Sequence, residues 1–438
     1  MDIIAKEMNT TLEKSGSIFF NLLSDFGKNI YMPKGIIVQS TEAKQSAKKY
    51  NATIGIAKEK GEPMHLQSLK KYYNNLNPSD IFDYAPAYGV QGLRLKWKSK
   101  IVKENEALKN ENDISTPVVT NGLTHGIMLV GDLFVDPDDE LIIPDKLWEN
   151  YSLMFEVRFK SKIVNYPFFN DDMTGFNVNA LDEAITKSKK DKIILLFNFP
   201  NNPIGYTPTV KETREIVNVV NKHAESGKKI IVVCDDAYYG LLYEDDLIQG
   251  SIFSQFASLH KNVAAIKIDG VSKEDYAWGL RVGFITFSDF NKNPDTYKIL
   301  EQKTAACIRA SISNCSMPTQ SIFMDMIGGD EYYKEKKEKY EILKKRAVKT
   351  KKVAFDKIYS DCWNTYPFNS GYFMCLKIKN ADPEKVRILA LEKYETGTIA
   401  LGEDLRVAFS SIEIDEIENV FEAIASCVRE LQKINCSL

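Results

Sequence analysis

The chain has 438 residues, more than one hydrophobic core usually holds, so two domains or one large domain with a lobe are expected. Apolar residues at 44%, charged residues at 27% and a net charge of −3 from intermixed acids and bases describe an ordinary soluble protein and exclude a basic nucleic-acid patch or a polybasic membrane anchor. No apolar run reaches membrane-spanning length, Met1–Glu7 lacks a basic-then-apolar leader, and the seven scattered cysteines and four unclustered histidines predict a cytoplasmic protein with reduced thiols and no metal.

Residues 8–30 read as an amphipathic helix. Tyr31-Met-Pro-Lys-Gly35 is a breaker, Ile36-Ile-Val-Gln39 a short strand, and residues 40–50 a polar helix. Asn51–Ala57 alternates and ends in a Lys-Glu-Lys-Gly-Glu-Pro turn. From about residue 66 helical stretches alternate with short β-rich runs: Thr116–Thr120, Glu140–Ile143, Lys162–Asn165, Lys192–Phe197, Lys229–Cys234, Val263–Ile268 and Val282–Thr286. Continuous apolar runs with room for crossover helices between them predict an α/β fold with a mostly parallel sheet. After about residue 330 come a long charged helix (332–357, with a solvated Lys/Glu face), strands in Asn369–Lys377 and Leu405–Phe409, and a closing helix from Asp415 to Ile434. This α+β texture predicts a smaller lobe packed with the N-terminal segment.

Ligands of such a sheet sit beyond the carboxyl ends of its strands. Asn121-Gly-Leu-Thr-His follows the first run and opens a helix, either as a tight turn or as an anion seat of free N–H groups. Trp148 follows the second, as a core residue or a flat face for an aromatic ring. Asn198-Phe-Pro-Asn-Asn-Pro-Ile-Gly205 is a rigid loop offering the Asn201 and Asn202 amides. Asp235-Asp-Ala-Tyr238 places two carboxylates at a strand end, where they need cations or donors; Asp236 can equally be a helix cap. Lys273 follows Val263–Ile268, and Arg281 follows in Gly-Leu-Arg-Val-Gly. A Schiff-base lysine, a carboxylate for a ring nitrogen, a phenol and an amide for a ring hydroxyl, a stacking aromatic and a phosphate seat are the parts that hold pyridoxal phosphate.

Asn202-Pro-Ile-Gly, Asp235-Asp-Ala-Tyr, and Ser272-Lys with Gly-Leu-Arg281-Val-Gly, in that order, resemble the fold-type-I pyridoxal-phosphate enzymes of the class I/II aminotransferase group, from about Asn51 to Phe409. The resemblance implies a mostly parallel seven-stranded sheet in a large domain, residues 66–329, and a smaller α+β domain formed by 1–65 with 330–438. It implies Lys273 as the Schiff-base and proton-shuttling residue, Asp235 on the ring nitrogen, and Tyr238 and Asn202 on the ring oxygen. Trp148 stacks on the ring, Asn121, Gly122, Leu123 and Arg281 cradle the phosphate, and Arg406 binds the substrate carboxylate, with Gly55 also at the substrate.

Asp83-Tyr-Ala-Pro-Ala-Tyr-Gly89 and Ile308-Arg-Ala-Ser-Ile-Ser-Asn314 resemble the aspartate-aminotransferase branch. They imply a homodimer in which Tyr84 reaches the neighbouring subunit's phosphate and Arg309 a substrate side-chain carboxylate. The implied reaction is transamination between a dicarboxylic L-amino acid and a 2-oxo acid; aromatic or neutral substrates, and elimination or decarboxylation at the same lysine, use the same parts. A regulatory binding module is the non-enzymatic reading, and the chain carries no basic helix-turn-helix for it. Two departures stand out. Gly270 occupies a position where the family often has a phosphate-binding serine, and Glu274 and Asp275 directly follow Lys273, where a solvent-facing position is the only reading the sequence offers.

Overall fold

The computed structural model describes residues 1–16, 18–33 and 35–436. Ser17 and Lys34, which fall within the N-terminal helix and the breaker read from the sequence, lie outside the described residues.

Seven strands form the main sheet: β1 (Val118–Asn121), β2 (Glu140–Pro144), β3 (Lys162–Tyr166), β4 (Lys192–Asn198), β5 (Lys229–Asp235), β6 (Val263–Gly270) and β7 (Val282–Asp289). Their order is β1-β7-β6-β5-β4-β2-β3. β7 runs antiparallel to β1 and β6, and the other neighbours are parallel. All seven β-rich runs of the sequence are strands of this sheet. Helices on both faces bury it, which is why β4 reads Ile-Ile-Leu-Leu-Phe without alternation and is buried from Ile193 to Asn198. The register Asn198↔Asp235 and Asp235↔Ile268 aligns the carboxyl ends of β4, β5 and β6. The polar residues that follow those strands therefore meet at one edge.

A second, antiparallel sheet has the order β8-β9-β11-β10, from β8 (Trp363–Thr365), β9 (Met374–Ile378), β10 (Ile399–Leu401) and β11 (Asp404–Val407). The helices Asp330–Ala354 and Ile417–Cys436 pack beside it. The N-terminal segment joins this region: Tyr50–Asn51 pairs in parallel with Thr396–Gly397, and Ala408 N donates to Ala52 O at 2.8 Å.

Two expectations near the N-terminus are overturned. The helix over residues 8–30 is three pieces, Ile3–Lys14, Ile18–Leu22 and Asp25–Asn29. Gly16 takes φ +69°, which ends the first turn run, and Ser24 caps the third piece by accepting from Gly27 N at 3.0 Å. Ile36-Ile-Val-Gln39 is the start of a helix, Ile36–Ser46, although three β-branched residues favour a strand. Tertiary packing decides it: the Gln39 side chain donates to Ala400 O and accepts from Ala400 N, and a Cβ on Gly397 would lie 2.7 Å from the Ala43 methyl.

Candidate active site

Lys273 sits in a single helical turn, Val271–Glu274, directly after β6. It lines a cavity of about 100 Å³ with Leu123, Trp148, Tyr151, Asn202, Asp235 and Tyr238. Larger surface clefts exist elsewhere, but this one gathers an amine, a carboxylate, two phenols, an amide and an indole. Burial pushes the Lys273 amine below its ordinary value; the Asp235 charge opposes that shift and the Arg281 charge adds to it. A shift in this direction favours the neutral amine, the form that attacks an aldehyde. Among the described residues no carboxylate lies within ion-pair distance of it.

Asp235 ends β5 and is 3% exposed. Its Oδ2 accepts from the Tyr151 phenol and its Oδ1 from Ala237 N at 3.2 Å. Burial raises its pKa, while the Tyr151 hydrogen bond and the Lys273 charge oppose the rise. Asp236 is not a helix cap. It pairs with buried Lys267 of β6 and accepts from Ser251 Oγ at 2.6 Å. Tyr238 packs edge-on against Tyr372 and Phe373, and the Lys273 Nζ lies 5.3 Å from its ring centre. Trp148 is half-buried and meets Tyr151 edge-on at 5.5 Å.

Asn202, in the turn after β4 of the main sheet, and Arg406, on β11 of the second sheet, meet here. Arg406, on β11, is 2% exposed; its Nη1 donates to Asn202 Oδ1 and its Nη2 to Thr53 O, each at 3.0 Å. Its guanidinium stacks over Phe373 at 4.2 Å. Its Nε makes no hydrogen bond, and among the described residues it has no acidic partner. A fully buried guanidinium with an unused N–H is an expensive arrangement unless an anion joins it. Gly55 lies alongside, where a Cβ would stand 3.3 Å from Phe373 Cζ and 4.0 Å from the Tyr238 hydroxyl.

The anion seat forms where β1 turns into the helix Gly122–Phe134. Asn121 precedes the helix, exposed, with its N–H directed to His125 Nδ1 at 3.0 Å. Gly122 has φ +75°, and a Cβ there would lie 2.3 Å from Arg281 Nη2. The Arg281 guanidinium thus rests against the positive end of a helix, and among the described residues its one hydrogen bond is to Trp278 O at 3.3 Å. Two positive features in contact, with no acid paired to the arginine among the described residues, fit a phosphate between them. Gly270 cannot be the family's serine, because a Cβ would fall 2.6 Å from Gly283 Cα.

Tyr84 and Arg309 do not line the cavity. Tyr84 is 89% exposed beside Phe82 at 81%, and Arg309, exposed near the end of the helix Pro294–Ser311, donates to Ser313 Oγ. Glu274 and Asp275, expected to face solvent, are instead buried among Lys100, Lys336 and Tyr332. Tyr151 escaped the sequence reading. Its one signal was an aromatic residue three positions after Trp148, in the same segment beyond β2. The buried hydroxyl of Ser272, which the sequence already names beside Lys273, has no hydrogen-bond partner among the described residues.

The profile of the family "Aminotransferase class I and II" matches residues 58–424. The chain belongs to this family. Aspartate aminotransferase of Sulfurisphaera tokodaii is 27% identical over 263 residues, 60% of this chain and 59% of that protein. The chain thus spans less than two thirds of that relative, whereas the mitochondrial aspartate aminotransferase of Dictyostelium discoideum is matched over 88% of both chains at 22% identity. Among solved structures, an aminotransferase from Anaerococcus prevotii superposes with a TM-score of 0.80 at 25% identity, covering 91% of this chain and 97% of that one. Members of this aminotransferase family use pyridoxal 5'-phosphate, and the buried amine, carboxylate and anion seat fit that group.

Proposed function

We propose that this aminotransferase-family chain moves an amino group between an L-amino acid and a 2-oxo acid, with dicarboxylates (aspartate or glutamate, 2-oxoglutarate or oxaloacetate) as substrates. The observation that carries the reading is Arg406, buried, without an acid and with Nε unused, beside the cavity that holds Lys273 and Asp235. Pyridoxal phosphate, when bound, supplies an aldehyde that condenses with amines and a protonated ring that draws electrons from the substrate Cα. Asp235 holds the proton on the ring nitrogen. Asn202 gives its Oδ1 to Arg406, which leaves its Nδ2 to donate to the ring oxygen together with the Tyr238 hydroxyl. Trp148 would cover the ring, and the N–H groups of Gly122 and Leu123 with Asn121 and Arg281 would take the phosphate. Arg406 grips the substrate α-carboxylate through its remaining N–H groups and sets the angle of the Cα–H bond. Lys273, the buried amine in this cavity, would take the proton from the substrate Cα.

The same reading includes a homodimer of cytoplasmic chains, in which Tyr84 and Arg309 serve the neighbouring subunit's site. The exposure of Tyr84 and Phe82 supports it. It also includes a large unit, 66–329, and a small one, 1–65 with 330–438, supported by the pairing of Tyr50–Asn51 with Thr396–Gly397. No helix among the described residues is long and apolar enough to cross a membrane. A second reading, aromatic or neutral amino acids, is favoured by the bond of Arg309 to Ser313 in its own chain.

The test is the half-reaction. Protein loaded with pyridoxal phosphate is mixed with single amino acids and no acceptor. Stoichiometric release of oxaloacetate from aspartate or 2-oxoglutarate from glutamate, lost in Arg309→Ala, is the expected result. Release from aromatic or neutral amino acids, indifferent to Arg309, supports the second reading. Release of ammonia or carbon dioxide instead, or no reaction with any amino acid, overturns transamination.

A further inference from the structure

The two acids that follow Lys273 have no part in the reaction outlined above, yet they are 5% and 0% exposed. Helices from either side of the sequence converge on them. From Gln91–Lys103, the Lys100 ammonium pairs with Glu274 and, at 2.9 Å, with Glu104. From Asp330–Ala354, Lys336 Nζ lies 2.8 Å from Glu274 Oε1 and 3.0 Å from Asp275 Oδ1, and the Tyr332 hydroxyl donates to Asp275 Oδ1 at 2.7 Å. Tyr239, Lys267 and Asp269 pack around the same charges.

Buried ion clusters are poor sources of stability, because desolvation offsets the attraction. This one is not even fully satisfied: among the described residues Glu274 Oε2 and Asp275 Oδ2 have no hydrogen-bond partner. What it fixes is geometry. The turn Val271–Glu274 is four residues long, too short to hold itself, and Tyr276 just beyond it sits at φ +55°. On its other side the Tyr372 hydroxyl donates to Lys273 O at 3.0 Å. The charges felt by the Lys273 amine are those of Asp235 and Arg281, so the cluster acts on it through the backbone.

We propose that Glu274 and Asp275, clamped by Lys100, Lys336 and Tyr332, are positioning residues that hold the Lys273 turn so that the amine stays in its cavity over Tyr238. The proposal rests on Lys273 being the reacting amine. A loosened turn admits water to the amine and relieves the burial that depresses its pKa.

The test uses the full-length chain, freed of cofactor, as wild type, Lys336→Met, Tyr332→Phe and Lys336→Arg. Each is exposed to pyridoxal phosphate across a pH series, reduced with borohydride, and scored for modified Lys273 by peptide mass. In Lys336→Met the midpoint of capture is expected to rise by about one pH unit. Its kcat is expected to fall about tenfold with KM for the amino acid nearly unchanged. Lys336→Arg restores both. Tyr332→Phe, which loses a hydrogen bond but keeps its packing, shifts the midpoint the same way by less and decides the matter if Lys336→Met does not fold. A lowered melting temperature with midpoint and kcat unmoved assigns the cluster a structural role and overturns the clamp. Wild-type protein that captures pyridoxal phosphate at other lysines but not at Lys273 overturns the functional reading itself.

Discussion

Tyr151 is the residue whose role depends least on sequence neighbours and most on the fold. It lies 84 positions from Asp235, and only the adjacency of β2, β4 and β5 brings its phenol to that carboxylate. The hydrogen bond favours the ionised form of Asp235, whose charge in turn raises the Lys273 pKa. Tyr151→Phe removes the donor. The Asp235 pKa then rises further, which weakens the charge that holds the Lys273 pKa up, and the Lys273 midpoint moves down, the opposite sense to Lys336→Met. Loss of a hydrogen bond to a buried charged group costs about 1.5–3 kcal/mol of stability. Thermal unfolding and the pH midpoint of capture at Lys273 check both statements, and an unmoved midpoint reduces Tyr151 to packing. The site residues legible in the sequence were those that follow strands directly, such as Asp235 and Lys273. Tyr151 and the burial of Glu274 and Asp275 were not, because each depends on what a distant element places beside it.

At the scale of elements, the parallel sheet was legible and the N-terminal segment was not, for one physical reason. Strands buried on both faces leave uninterrupted apolar runs, and seven such runs are β1–β7. Ile36–Ser46 carries the same kind of run, but what it packs against is a helix-sized groove beside Thr396–Leu401. Glycines mark where elements approach too closely for side chains. Gly270 of β6 pairs with Gly283 of β7, and a Cβ on Gly283 would fall 2.7 Å from Gly122 C and 3.0 Å from Leu123 N. That contact presses the anion seat against the sheet. Gly283→Ala would push the Gly122 turn outward, and overpacking of this kind costs roughly 1–3 kcal/mol. The expected outcome is a lower melting temperature and weaker retention of pyridoxal phosphate than of pyridoxal, whose lack of phosphate makes it indifferent to the seat. Equal loss for both compounds argues against the seat.

At the scale of the molecule, the two sheets are tied at Arg406. Arg406 of β11 reaches Asn202, which follows β4, and Thr53 of the N-terminal segment, so three distant parts of the chain meet at one guanidinium. Tyr84 and Arg309 have no such tie within the chain, although the resemblance assigns both to the site. A second subunit reconciles the two facts, and a mixed dimer tests it. Lys273→Ala chains lack the amine and Arg309→Ala chains lack the distal arginine, so each homodimer is expected to be inactive toward dicarboxylates. In a dimer of one chain of each kind, the site with an intact Lys273 receives Arg309 from the Lys273→Ala chain, and the other site lacks both. Random reassortment makes half of the dimers mixed, and the pool is expected to recover about a quarter of wild-type turnover. If Arg309 instead serves the site of its own chain, every mixed dimer still has one defective residue in each site and mixing recovers nothing. Recovery therefore places Arg309 across the interface. Full activity of the Arg309→Ala homodimer alone removes it from substrate binding altogether.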